Sequence, residues 1–74
     1  MFKVYGFYKF IKIKSLKKNQ DFLQKFLISN NIRGTIIVAN EGLNGTISGS
    51  IKDIDKTIKK LKSLFSFKQF DSCN

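Results

Sequence analysis

Apolar and polar positions alternate in three different rhythms along this chain, and each rhythm predicts a different element. Between Met1 and Lys14, Phe2, Val4, Tyr8 and Phe10 share one parity and Tyr5, Phe7, Ile11 and Ile13 the other. Period two with apolar residues on both faces predicts a long central strand, or two strand pieces, with Gly6 as a candidate bulge. From Ser15 to Asn31 the period changes. Leu16, Leu23, Phe26 and Leu27 fall on one helical face with Phe22 widening it, while Lys17, Lys18, Gln24 and Lys25 point away. Ser15 or Asn19 is the candidate cap, and Asn30–Asn31 a left-handed stop.

The stretch GTIIVANEGLNGTISGS, Gly34 to Ser50, organises the rest. A β-branched run (Ile36, Ile37, Val38, Ala39), a polar corner (Asn40, Glu41, Gly42, Leu43, Asn44) and a second alternating run (Gly45 to Gly49) predict a β-hairpin. Gly42 and Gly45 are expected to supply any positive φ at the corner, with Asn40 and Asn44 next in tolerance. Glu41 is the unusual residue of the corner, an acid where a small or amide side chain is commoner. Beyond it, Ser50-Ile51-Lys52-Asp53 is a variant capping box, and Ile51, Ile54, Ile58, Leu61 and Phe65 step by three and four. This predicts a second helix from Ser50 to Phe65, with Asp53 and Asp55 in its first turn favouring the dipole. Ser66 to Asp71 alternates loosely through Phe67 and Phe70 and reads as a closing edge strand or a tail. Strand, helix, strand, strand, helix, short strand is the βαββαβ order of a ferredoxin-like two-layer sandwich (α+β), with an antiparallel sheet and both helices on one face. The expected organisation is one domain over residues 1–74.

Composition narrows the function classes. The 74 residues carry 14 basic side chains against five acidic ones, for a formal charge of +9. That balance favours a polyanionic partner, nucleic acid before membrane. Nearly all the basic residues are lysines in a chain rich in Ile, Phe and Asn, so genomic base composition explains the same bias. Lys52, Lys56, Lys59, Lys60 and Lys62 on the second helix are the candidate phosphate-contacting set, against the plain alternative of a solvated helix face. Tyr8 and Lys9 are weaker candidates, since aromatics interleaved with lysines stack bases, whereas sheet core is the ordinary role of aromatics in a small domain.

Several chemistries are excluded. Without histidine there is no Ser–His–Asp or Cys–His arrangement, and one cysteine, Cys73, forms no internal disulfide and no zinc site. Cys73 reads as an inert or exposed thiol. No carboxylate pair has an acid/base spacing, no phosphate-binding glycine motif occurs, and no cofactor or metal is expected. No apolar run spans a bilayer, and lysines interrupt the N-terminal apolar stretch that a signal peptide needs, so no membrane partner and a cytoplasmic location are expected. An RNA-recognition sheet would carry aromatics on its third strand, where Thr46, Ile47 and Ser48 stand. An acylphosphatase would need an arginine after the first strand, where Lys12, Lys14 and Ser15 stand.

Arg33–Gly34 opening an apolar strand, the corner Glu41-Gly42-Leu43-Asn44-Gly45-Thr46, the exit Ser48-Gly49-Ser50 and the segment Phe7-Tyr8-Lys9-Phe10 resemble the N-terminal domain of the rhodanese-type tRNA uridine hydroxylases. Asn40 departs from the basic or small residue commoner there. The resemblance covers nearly the whole chain. It implies an acylphosphatase-like domain preceding a rhodanese domain in enzymes that place a 5-hydroxyl on the wobble uridine of certain tRNAs, using oxygen. In that family the reactive cysteine belongs to the rhodanese domain. The resemblance therefore implies an excised or truncated accessory domain with no catalysis of its own, whose partners are tRNA and the rhodanese domain. The alternative is a structural domain that packs on the rhodanese domain without touching RNA.

Overall fold

The computed structural model describes residues 2–73; Met1, Asn74 and the Cys73 side chain lie outside the described residues, and with them the strand start at Met1 and the reading of the thiol. The elements run β1 (Phe2–Phe10), α1 (Leu16–Ser29), β2 (Arg33–Ala39), β3 (Gly42–Ser50), α2 (Ile51–Phe65) and β4 (Ser72–Cys73). The sheet order is β2-β3-β1-β4, antiparallel throughout. Tyr5 and Phe7 of β1, Ile36 of β2, and Leu43 and Ile47 of β3 are buried together with Leu23 and Leu27 of α1 and Ile54 and Leu61 of α2. One sheet face thus packs against both helices, which is the expected two-layer α+β sandwich. The other face carries no layer among the described residues.

The hairpin forms where the pattern places it, but its corner is tighter. Ala39 pairs with Gly42, so only Asn40 and Glu41 lie outside the strands, and Leu43 and Asn44 belong to β3. Leu43 is the reason: at 1% exposure it is core, and in-register pairing brings it there. Asn40 and Asn44 keep negative φ, and positive values fall on Gly34 and Gly42 rather than on Gly45. Gly42 takes φ 157°, and a Cβ there would run into the Lys9 carbonyl of the neighbouring strand. The corner also docks the β1–α1 connection, since the Glu41 carbonyl accepts from the Ile11 amide and the Asn40 carbonyl from the Ile13 amide, both at 3.1 Å. β1 therefore ends at Phe10, and the expected strand to Lys14 gives way to a docked connection. Its pairing with β3 runs unbroken from Phe2↔Ser50 to Phe10↔Gly42, so Gly6 forms no bulge.

α2 follows its pattern closely. The Ser50 hydroxyl accepts from the Asp53 amide at 3.1 Å, and Ile54, Thr57 and Leu61 are fully covered. Thr57 is tolerated there because its hydroxyl donates to the Asp53 carbonyl at 2.9 Å. Asp53 is the acid of the first turn; Asp55 lies beyond it. α1 starts differently from either expected cap. Ser15 occupies the cap position in a left-handed conformation (φ 53°) and makes no side-chain cap, while the Asn19 amide donates backwards to the Lys14 carbonyl. The left-handed stop occurs at Asn31, φ 57°.

Polar groups from outside the strands satisfy strand groups beside β2 and, next to β4, beside β1. Beside β2, the Gln20 amide donates to the Ile36 carbonyl at 2.6 Å and its oxygen accepts from the Val38 amide at 3.0 Å, as an adjoining strand would. Beside β1, the Asp71 amide donates to the Tyr8 carbonyl at 2.8 Å and the Asp71 carboxylate accepts from the Phe10 amide at 2.6 Å. The closing strand consequently falls at Ser72–Cys73 rather than over Ser66 to Asp71. Those residues fold back so that Phe67 and Phe70 cover the core beside Tyr5 and Phe7, with Phe70 centred 4.9 Å from the Phe7 ring. Gln20→Ala removes two hydrogen bonds from partly buried backbone groups and is expected to lower stability by about 1–2 kcal/mol, measurable as a lower urea midpoint at unchanged m.

Candidate nucleic-acid interface and the open sheet face

Basic side chains collect on the helix layer. Ile54, Thr57 and Leu61 anchor α2 inward, so Lys52, Lys56 and Lys59, spaced by four and three, stand exposed on its outward side. Lys60 is also exposed but leans toward α1, with its ammonium 5.4 Å from the Phe22 ring centre. Lys62 turns the other way, half-buried, 5.9 Å from the Phe70 ring. The five lysines are therefore a core of three with two flanking members held against aromatic rings. Lys18 and Lys25, seven residues apart on the exposed side of α1, extend the same layer. Their i, i+7 spacing is a signal that a reading confined to the second helix passes over.

Tyr8 and Lys9 do not share a surface. Successive residues of a strand face opposite ways, and the buried Tyr5 and Phe7 fix odd-numbered β1 residues on the helix side. Lys9 lies there, 3.8 Å from the Asp71 carboxylate and 5.4 Å from the Phe67 ring, so it joins Lys62 around the Phe67–Phe70 segment. Tyr8 lies on the open face, its ring 4.6 Å from that of Phe10.

The open face holds the exposed half of the corner motif. Asn44 pairs with Tyr8 and Thr46 with Gly6, and these residues with Thr35 and Ile37 border a shallow groove of about 700 Å³. The other half of the motif is architectural. Gly45 lies on the helix side, where a Cβ would come within 3.1 Å of the Phe7 ring, and Leu43 fills the core. Glu41 is exposed at the turn and is fixed through its backbone carbonyl to Ile11. The E-G-L-N-G-T string thus encodes a tight turn, a close three-strand approach and two polar positions in the groove. The β1–α1 connection offers Lys12 and Lys14 but no arginine, and Arg33 opens β2 on the open face.

Strand order, helix placement and the tight β2–β3 turn define an acylphosphatase-like α+β domain with a lysine-bearing helix layer. The profile of the UPF0176 acylphosphatase like domain matches residues 2–73, and the chain belongs to that family. It is 61% identical over all 74 residues to a protein of Pelagibacter ubique (strain HTCC1062) named tRNA uridine(34) hydroxylase, of which it spans 25%. A protein of the same name from Ehrlichia ruminantium (strain Welgevonden) is 40% identical over 70 residues, 92% of this chain and 23% of that one. The chain thus spans about a quarter of the length of these curated relatives. No helix among the described residues is long and apolar enough to cross a membrane.

Proposed function

We propose that this chain is an accessory domain of a cytoplasmic tRNA-modifying enzyme, one that hydroxylates a wobble uridine with oxygen, and that it holds tRNA by its phosphates. The carrying observation is the solvated lysine face of α2 in a chain 61% identical to a protein named tRNA uridine(34) hydroxylase. Lys52, Lys56 and Lys59 face the backbone of the RNA, Lys60 and Lys62 flank them, and Lys18 and Lys25 widen the footprint. Phosphate contact by lysine is sequence-independent, so the domain positions tRNA while selection of the base falls elsewhere. The chain itself performs no hydroxylation on this reading: catalysis belongs to the rhodanese domain that accompanies it in the full enzyme.

Titration of fluorescently labelled tRNA at increasing salt tests the proposal. The five lysines of α2, at about 0.7 per phosphate contact, predict a slope of log affinity on log salt of about −3.5. An affinity indifferent to salt would remove phosphate recognition from the domain.

A further inference from the structure

We propose that the open face of the sheet is the seat of an interface with the remainder of the polypeptide in full-length members of the family. Phe2, Val4, Phe10 and Ile37 expose 83%, 68%, 64% and 53% of their surface, and Tyr8 adds a fifth large side chain. All five lie on the face turned away from the helices. Four of them line β1 and Ile37 stands on β2, across the polar outer side of β3; large apolar side chains gathered on one exposed face mark a surface that another surface covers.

The chemistry of the face selects its occupant. Among the described strand residues on this side, Arg33 is the one charged group; the remainder are apolar residues, glycine, threonine, serine and asparagine. The lysines of the helices stand on the opposite side of the molecule, where they cannot meet phosphates laid across the sheet. Nucleic acid, whose affinity comes largely from neutralising phosphate charge, finds little here. A polypeptide surface finds apolar side chains of β1 and β2 on either side of a strip of hydrogen-bonding groups on β3, the mix of apolar contact and hydrogen bonds that a protein interface uses. Curated relatives run to about four times this length. A covalently linked domain meets this face at an effective concentration that a free partner does not reach.

The groove gives the contact its shape. Gly6 leaves its floor bare between Val4 and Tyr8, with Thr35, Asn44 and Thr46 beside it. An aliphatic or aromatic side chain from the facing domain seats over Gly6, and the hydroxyl and amide groups meet polar groups at its rim. The inference stands independently of phosphate binding, because the two surfaces lie on opposite sides of the fold.

Thiol labelling followed peptide by peptide by mass spectrometry tests it. In a Cys73→Ser background, Thr46→Cys reports on the open face and Lys56→Cys on the outer side of α2. Each is compared between the 74-residue chain and a chimera in which this chain replaces the matching quarter of the Pelagibacter ubique protein. Thr46→Cys is expected to react at least about tenfold more slowly in the chimera, and Lys56→Cys at an unchanged rate. Adding Phe10→Lys and Ile37→Lys restores fast labelling at position 46 in the chimera and leaves the melting temperature of the short chain unaltered. Equal rates at position 46, or protection at position 56 instead, overturn the proposal. Protection of Thr46→Cys in the short chain on raising its concentration, or on adding tRNA, also overturns it, assigning the face to a second copy or to RNA.

Discussion

Gly45→Val is expected to destabilise the chain severely. Gly45 lies in the middle of β3, between Phe7 of β1 and Ile36 of β2. A Cβ at this position would stand 2.5 Å from the Thr35 carbonyl oxygen and 3.0 Å from the Ile36 Cα. Both obstructing atoms are backbone, so no rotamer change relieves the overlap, and β2 must move off the sheet. Intrinsic strand preference pulls the other way, because valine is favoured over glycine in strands by up to about 1 kcal/mol. Overpacking against fixed backbone costs about 3 kcal/mol or more and wins. A domain of this length has a total stability of roughly 4–11 kcal/mol, so the loss is a large part of it. Urea denaturation followed by circular dichroism checks this; Gly45→Ala should shift in the same direction by less. A Gly45→Val protein with the parental midpoint would refute the close approach of β2 and β3.

Reversing Lys52, Lys56 and Lys59 together to glutamate is expected to have the largest effect on binding. Each reversal replaces a positive charge with a negative one, lowering the net charge by two, so the formal charge falls from +9 to about +3. If the three contact phosphates, the salt slope becomes shallower by about 2, and affinity at low salt falls by at least about a hundredfold. The fold should be indifferent. All three side chains are exposed on the outward side of α2, and a glutamate at position 52, in the first turn, improves the match to the helix dipole. An unchanged melting temperature with lost binding separates phosphate contact from damage to the fold. Unchanged tRNA affinity would reduce the lysines to a solvated face.

Particular residues show which parts of this fold were legible. α2 is legible in its bounds because two independent signals coincide there, the Ser50–Asp53 cap and an apolar stripe with the helical period, although Ile51 of that stripe stays exposed and Thr57 takes a core position. The hairpin was legible as an element but not in its corner. Composition groups Gly42, Leu43 and Asn44 with the polar turn, whereas register pulls Leu43 into the core, so the turn closes in two residues. β1 is central in the sheet, as apolar residues on both parities predict, but only one of its faces is covered. Apolar residues on both parities are the mark of a strand covered on both faces, yet the helices cover only the Tyr5–Phe7 side and leave Phe2, Val4 and Phe10 in solvent. Which face a layer covers is a property of the assembled sheet and is not written in a single strand. The alternation of adjacent residues, in contrast, was available from the start, and it already separates Tyr8 from Lys9. The closing strand was displaced because Phe67 and Phe70 serve the core from a loop, a role that a period-two pattern mimics.

The amide of Gln20 has one more consequence. It stands where the main chain of another molecule would have to attach, satisfying groups of β2 that otherwise invite lateral growth into fibrils. Polymerisation of the isolated chain is thereby discouraged along the β2 margin, although its greasy surface remains uncovered. Concentrated solutions should stay clear, and Gln20→Ala should be the variant that first turns them cloudy.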